Sequence, residues 1–166
     1  MKTVLMFLLC CVLQVSGQAP QSQSGHEHHA GTVESRGDMA MGFSHDKATH
    51  HFLLYPDGGA IQVTTRDPND SEDIAAIRMH LRHISQMFAA GDFSAPMFIH
   101  DRVPPGVPVL KKAKDAVSYN FEEISSGAKV RIQTSDKKAL NAVHEFLRFQ
   151  IADHHTGDAT TVSVPN

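Results

Sequence analysis

The chain has 166 residues, with 15 Lys and Arg against 18 Asp and Glu, 12 His, 2 Cys and no Trp, for a formal net charge of −3. That length suits one ordinary domain, and an acidic balance without a basic block excludes nucleic acid as an expected partner. The abundance of histidine is the one departure from an ordinary composition, and exported histidine-rich chains often bind metal.

The chain opens on an export signal. Lys2 supplies a positive start, residues 3–15 are almost unbroken apolar, and Val15-Ser16-Gly17 offers peptidase-compatible residues before Gln18. This predicts a signal peptide over 1–17 and a periplasmic or secreted product. The apolar run is shorter than the ~18–20 residues that span a bilayer, so no membrane attachment is expected after cleavage. Cys10 and Cys11 both lie in this leader, which leaves the exported chain without a disulfide or a thiolate ligand.

Residues 18–41 are rich in Gln, Ser, Gly and His and poor in apolar side chains. Such a segment cannot offset its ordering entropy, and a disordered tail is expected. Its cluster His26-Glu27-His28-His29 would chelate metal weakly in almost any protein.

A single domain is expected over 42–158, with halves 48–92 and 117–158, a linker over 93–116 and a flexible C-terminus over 159–166. Strands are predicted over 50–55 and 60–66 about a turn at Asp57-Gly58. That turn pairs Leu54 with Ile61, Phe52 with Val63 and His50 with Thr65, and sets all six on one apolar face. A helix follows over 71–90. Asp70 or Ser71 caps it, Gly91 ends it, and Ile74, Ile77, Leu81, Ile84 and Phe88 form its core stripe.

In the linker, Met97-Phe98-Ile99-His100 reads as a short edge strand or a plug. Pro104-Pro105-Gly106-Val107-Pro108 reads as a stiff bend. A second hairpin is predicted over 117–124 and 128–134 about Ser126-Gly127, with Val117, Tyr119, Phe121, Val130 and Ile132 on one face. The second helix is predicted over 137–155, with a stripe of Leu140, Val143, Leu147 and Ile151.

The halves match one another. A shift of 69 carries Phe52 to Phe121, Gly58 to Gly127 and Ile61 to Val130. A shift of 66 carries Leu81-Arg82 to Leu147-Arg148 and Gly91-Asp92 to Gly157-Asp158. The expected fold is therefore α+β: a ββα–ββα pseudo-repeat, with a four-stranded, mainly antiparallel sheet and two helices on one face.

His80, His83 and Met87 share one face of the first helix beside its core stripe. Imidazole with thioether suits copper or a non-covalently held haem better than zinc. Positions 80 and 83 map to Phe146 and Phe149 on the second helix, so the same stripe also fits a helix seam or a homodimer interface. His50 and His51 point to opposite faces of their strand, and His100 is the best ligand candidate of the linker. His144 and His154 fall on the apolar stripe of the second helix, with His155 beside it, as core or capping histidines would.

Nucleophile elbow, phosphate-binding glycine loop, HExxH and CxxCH motifs are all missing from the sequence. The leading expectation is an extracytoplasmic metal- or haem-binding protein. Its ligands would be His80, His83 and Met87, completed by His50, His51 or His100. The rival is a metal-free exported interaction or dimerisation module with its histidines packed in seams. A small hydrolase using His and Asp of the linker is the weaker third reading.

The stretches Thr49-His50-His51-Phe52, Asp57-Gly58-Gly59-Ala60 and Phe146-Leu147-Arg148-Phe149-Gln150-Ile151 resemble an uncharacterised family of exported, histidine-rich bacterial proteins. The resemblance spans most of 41–158 and implies a bacterial, exported origin. Some members carry the name aspartate carbamoyltransferase. That activity requires two larger domains and a Ser-Thr-Arg-Thr phosphate loop, and this chain has neither.

Overall fold

A computed structural model describes residues 24–42 and 44–164, with side chains from residue 33 onward. The signal peptide expected over 1–17 lies outside the described residues. In chain order the elements are α1 (Ser24–Met41), β1 (Ala48–Tyr55), β2 (Gly58–Thr65), α2 (Ser71–Ala89), α3 (Ser94–His100), α4 (Val107–Lys112), β3 (Ser118–Ile124), β4 (Gly127–Gln133) and α5 (Lys137–Asp153). No described helix is long and apolar enough to cross a membrane.

The strands form one antiparallel sheet in the order β1-β2-β4-β3, so β1 and β3 are its edges. The first hairpin keeps the expected face but not the expected partners. Phe52 pairs with Ile61, Leu54 with Gly59 and His50 with Val63, a slip of two residues from the turn-based expectation. A slip of two preserves side-chain alternation, so the apolar face survives it. Its cause is Gly58, which pairs with Tyr55 instead of occupying the turn. A Cβ on Gly58 would stand 2.1 Å from the Ile132 carbonyl oxygen of β4, so this glycine permits strand approach.

The internal repeat is geometric as well as sequential. Adding 69 to both members of Phe52↔Ile61 gives Phe121↔Val130, the pairing found in the second hairpin. In the central β2–β4 ladder Ile61 pairs with Val130, its own repeat equivalent, so a pseudo-twofold axis passes between them. Equivalent contacts recur across it. The Thr65 N–H donates to Ser126 O at 2.8 Å, and the Thr134 N–H to Asp57 O at 3.0 Å. A Cβ on Gly127 would meet Val63 O at 2.1 Å, mirroring Gly58.

Each long helix starts on an aspartate cap: Asp70 accepts from the Asp73 N–H at 3.0 Å, and Asp136 from the Ala139 N–H at 2.7 Å. Gly91 and Gly157 follow their ends with φ of 79° and 74°. The helices cross over: α2 packs chiefly on β3 and β4, and α5 on β1 and β2. Arg78 of α2 therefore donates to Ile124 O and Gly127 O at 2.8 and 3.2 Å, tying down the second hairpin's turn. His144 of α5 does the same for the first, its Nε2 lying 2.9 Å from Tyr55 O and 3.0 Å from Gly58 O.

The core lies between the sheet and these helices. Phe52, Leu54, Val63, Val130 and Ile132 meet Ile77, Leu81 and Phe88 of α2 and Val143, Phe146 and Leu147 of α5. Full burial of one such side chain contributes ~1.5–3 kcal/mol.

Three segments differ from the sequence expectation. Much of the tail expected to be disordered over 18–41 is helix α1. It contacts α3 and buries Val33, so tertiary packing supplies what composition lacks. Residues 97–100, expected as an edge strand or plug, lie in α3, whose entry is set by the Ser94 N–H donating to Asp92 Oδ1 at 2.8 Å. The proline-rich bend leads into α4, and Gly106 (φ 81°) lets the chain pass against the Ala142 carbonyl of α5. The C-terminus, expected to be flexible over 159–166, is tied down in part. The Ser163 N–H donates to Leu54 O at 3.0 Å and Arg148 Nε to Thr160 O at 3.0 Å.

Candidate functional site

Where α2 and α5 lie side by side, their facing stripes are repeat equivalents at every step. His80, Ile84 and Phe88 of α2 stand where α5 places Phe146, Gln150 and His154, and all six line one cavity of about 100 Å³. Phe52, Ile61 and Val63 form its floor and His50 closes one end. Ala95, Pro96 and Ile99 of α3 with Val33, Glu34, Gly37 and Met41 of α1 cover it. The walls are mostly apolar, as small-molecule pockets commonly are.

The imidazoles here are neutral at physiological pH. Burial, reinforced by the neighbouring histidines, pushes His50 down to about 4 and His80 down to about 4. Burial and the nearby His100 bring His154 to about 3. His50 and His154 stack with ring centroids 6.1 Å apart and planes at 7°, and His154 lies 5.5 Å from the Phe52 ring. At the rim His45 behaves oppositely. Although its partial burial works against the charge, Asp38, Asp46 and Glu34 together raise it. Asp38 lies 3.0 Å from His45 Nδ1.

A chain of polar groups runs from exposed Arg102 into the cavity wall. Arg102 and Asp153 pair at 2.6 Å, and Asp153 Oδ2 lies 2.5 Å from His100 Nδ1. His100 Nε2 lies 2.9 Å from Gln150 Oε1. The His100 side chain is 0% exposed, packed edge-on against Phe149 at 4.8 Å and His154 at 5.0 Å. Its Nδ1 thus faces a carboxylate oxygen and its Nε2 an amide oxygen. Gln150 Nε2, buried in the cavity lining, has no hydrogen-bond partner among the described residues.

The structure divides the six residues singled out as ligands. His50 and His80 line the cavity. Met87 is half-buried against the core, and His83 is exposed to solvent. His51 lies on the other face of β1, where its Nδ1 is 2.8 Å from Asp158 Oδ1. His100 is committed to Asp153 and Gln150. The six therefore do not form one coordination shell, because the face holding His80 turns His83 outward and strand alternation separates His50 from His51. Among the described residues, no group of three or more His, Cys, Asp or Glu is placed to hold a metal ion.

The hydrolase option drew on His and Asp of the linker, whose one histidine is His100. Both ring nitrogens of His100 are within hydrogen-bond distance of Asp153 and Gln150, and Asp101 lies outside, paired with Arg36 at 3.2 Å.

Gln150 and His154 complete the cavity and carried no weight as site residues in the sequence. The repeat held the signal: the shift of 66 sets the amide of Gln150 against Ile84, a polar group at a core-stripe position. No family model, curated protein or solved structure matches this chain.

Proposed function

We propose that this chain is an exported binding protein that takes a small, largely apolar molecule into the cavity between α2 and α5. One observation carries the reading: the two helices replace each other's seam residues so that the seam opens into a cavity instead of closing. Neutral imidazoles and aromatic rings line it without a charged group at its centre, which favours an uncharged guest. The apolar run at the N-terminus supports export. Copper or haem bound through His50 and His80 is the second reading, favoured by those imidazoles being free of protons.

A thermal-shift series on untagged protein tests both. Benzene, indole or cyclohexanone at millimolar concentration raises Tm by a few degrees on the binding-protein reading, by mass action. The Ala95→Trp variant, which fills the cavity from α3, keeps its fold and loses that response. If these probes leave Tm unchanged while Cu2+ or hemin raises it, and His50→Ala with His80→Ala removes that rise, the second reading replaces the first.

A further inference from the structure

Resting on that reading, we propose that α1 is a lid, and that a guest reaches the cavity when α1 swings away about Gly42 while α3 stays in place.

The two helices that cover the cavity are held very differently. α3 is anchored at both ends. Just before it, Phe93 is fully buried and stacks on Phe88 with ring centroids 4.4 Å apart, beside Tyr119 and Phe146. At its far end, His100 is buried against Asp153 and Gln150 of α5. Moving α3 would break both anchors.

α1 packs chiefly on α3 and on the turn at His45–Lys47, not on the sheet or the long helices. Val33 is the one buried side chain among those described in it, and Met41 is half-buried against the core. Polar contacts add to this. Arg36 pairs with Asp101 at the end of α3, 3.2 Å away and in solvent, where such pairs contribute little. Asp38 accepts from the His45 backbone N–H at 2.6 Å. Within the helix, glycines at 25, 31 and 37 lower its stability relative to alanine. A helix with so few apolar contacts opens more readily than the core beneath it.

The local geometry suits a hinge. Gly42 follows the helix with φ 76°, and nothing lies within 4 Å of where its Cβ would stand. The backbone can therefore turn there without a collision. Val33, Gly37 and Met41 recur every fourth residue and line the cavity together with Glu34. Undocking α1 removes that whole wall in one movement.

The test follows binding of benzene, or of indole or cyclohexanone in its place, to the untagged full chain by NMR line shapes. Arg36→Ala and Asp38→Ala loosen α1, and each is expected to raise association and dissociation rates about two- to fivefold while changing Kd much less. Asp92→Ala, which removes the acceptor of the Ser94 N–H at the start of α3, should leave both rates unchanged. Hydrogen exchange on the guest-free protein gives a second measure. The amides of 33–41 should exchange well before those of α2 and α5, and the guest should slow them. Unaltered rates in both α1 variants, or α1 amides as protected as those of α5, overturn the lid and leave the cavity reading standing. A larger rate increase in Asp92→Ala than in the α1 variants also overturns it, by moving the entrance to α3. Failure of all three probes to bind removes the cavity reading and the lid with it.

Discussion

Arg78 and His80 stand two residues apart on α2, and His144 and Phe146 stand at the equivalent places on α5. The first pair of equivalents, Arg78 and His144, do one job with different chemistry, each holding the turn carbonyls of the opposite hairpin. The second pair, His80 and Phe146, do not share a job. They face one another's helix across the seam, and their difference in size and polarity helps to shape the cavity. Sheet registers, helix caps and turn contacts are symmetric, because a one-residue slip in either ladder would turn its buried face outward. The seam is not bound by that rule. Its side chains fill space from both helices at once, so a change on one helix is accommodated on the other.

Acid should separate the two regions most. His50, His80 and His154 are depressed in the folded chain but ordinary when unfolded. Between about pH 6.5 and 4 the unfolded state binds more protons, so stability is full above this window and falls as pH drops through it. Each fully effective histidine contributes up to ~1.4 kcal/mol per pH unit, and His45, shifted the other way, offsets a part. Denaturant midpoints at pH 7, 6 and 5 should fall steadily, and a flat profile would show that the seam histidines are solvated.

Next come the scaffold glycines, where the halves should respond alike. Gly58→Ala and Gly127→Ala each drive a Cβ into a backbone carbonyl across the dyad. Each should cost about 3 kcal/mol or more in equilibrium unfolding. Gly58 is expected to be slightly the worse because its φ is 146°, and a large cost at only one of the two positions would break the symmetry argument.

The smallest effect lies at another unlike pair. Tyr119 is the repeat equivalent of His50, and its buried hydroxyl has no partner among the described residues. Burial accordingly raises its pKa. Tyr119→Phe removes that orphan and keeps the ring contacts to Phe88 and Phe93, so it should stabilise by about 1 kcal/mol. A loss of stability on this change would mean that the hydroxyl has an acceptor.

What the sequence disclosed follows the same division. The hairpins, the long helices, the cap of α2 and the repeat were legible because each rests on local spacing: period two, period 3.6, an aspartate before a helix and a glycine after it. The hairpin register was misread because Asp57-Gly58 has the form of a turn, whereas Gly58 is needed for the close approach of β4, a contact invisible within the hairpin. Helix α1 was missed for a similar reason, since its order comes from α3 and the seam. Among the site residues, His50 and His80 were legible as unusual imidazoles beside an apolar stripe. Their separation from His51, His83, Met87 and His100 depends on which side of each element faces the other helix, which spacing on one element cannot decide.

The two edges of the sheet have different defences against unwanted strand addition. Along β3, Glu122 and Glu123 place charge where another chain would have to dock, a common deterrent to aggregation. β1 has no carboxylate or lysine of its own. Its exposed backbone is occupied by the C-terminal segment, through Asp158 accepting from the Phe52 N–H at 2.9 Å and Ser163 donating to Leu54 O. Trimming by a carboxypeptidase past Asp158 would therefore leave the core and the cavity in place but convert β1 into an adhesive edge, and the damage would show first as loss of solubility.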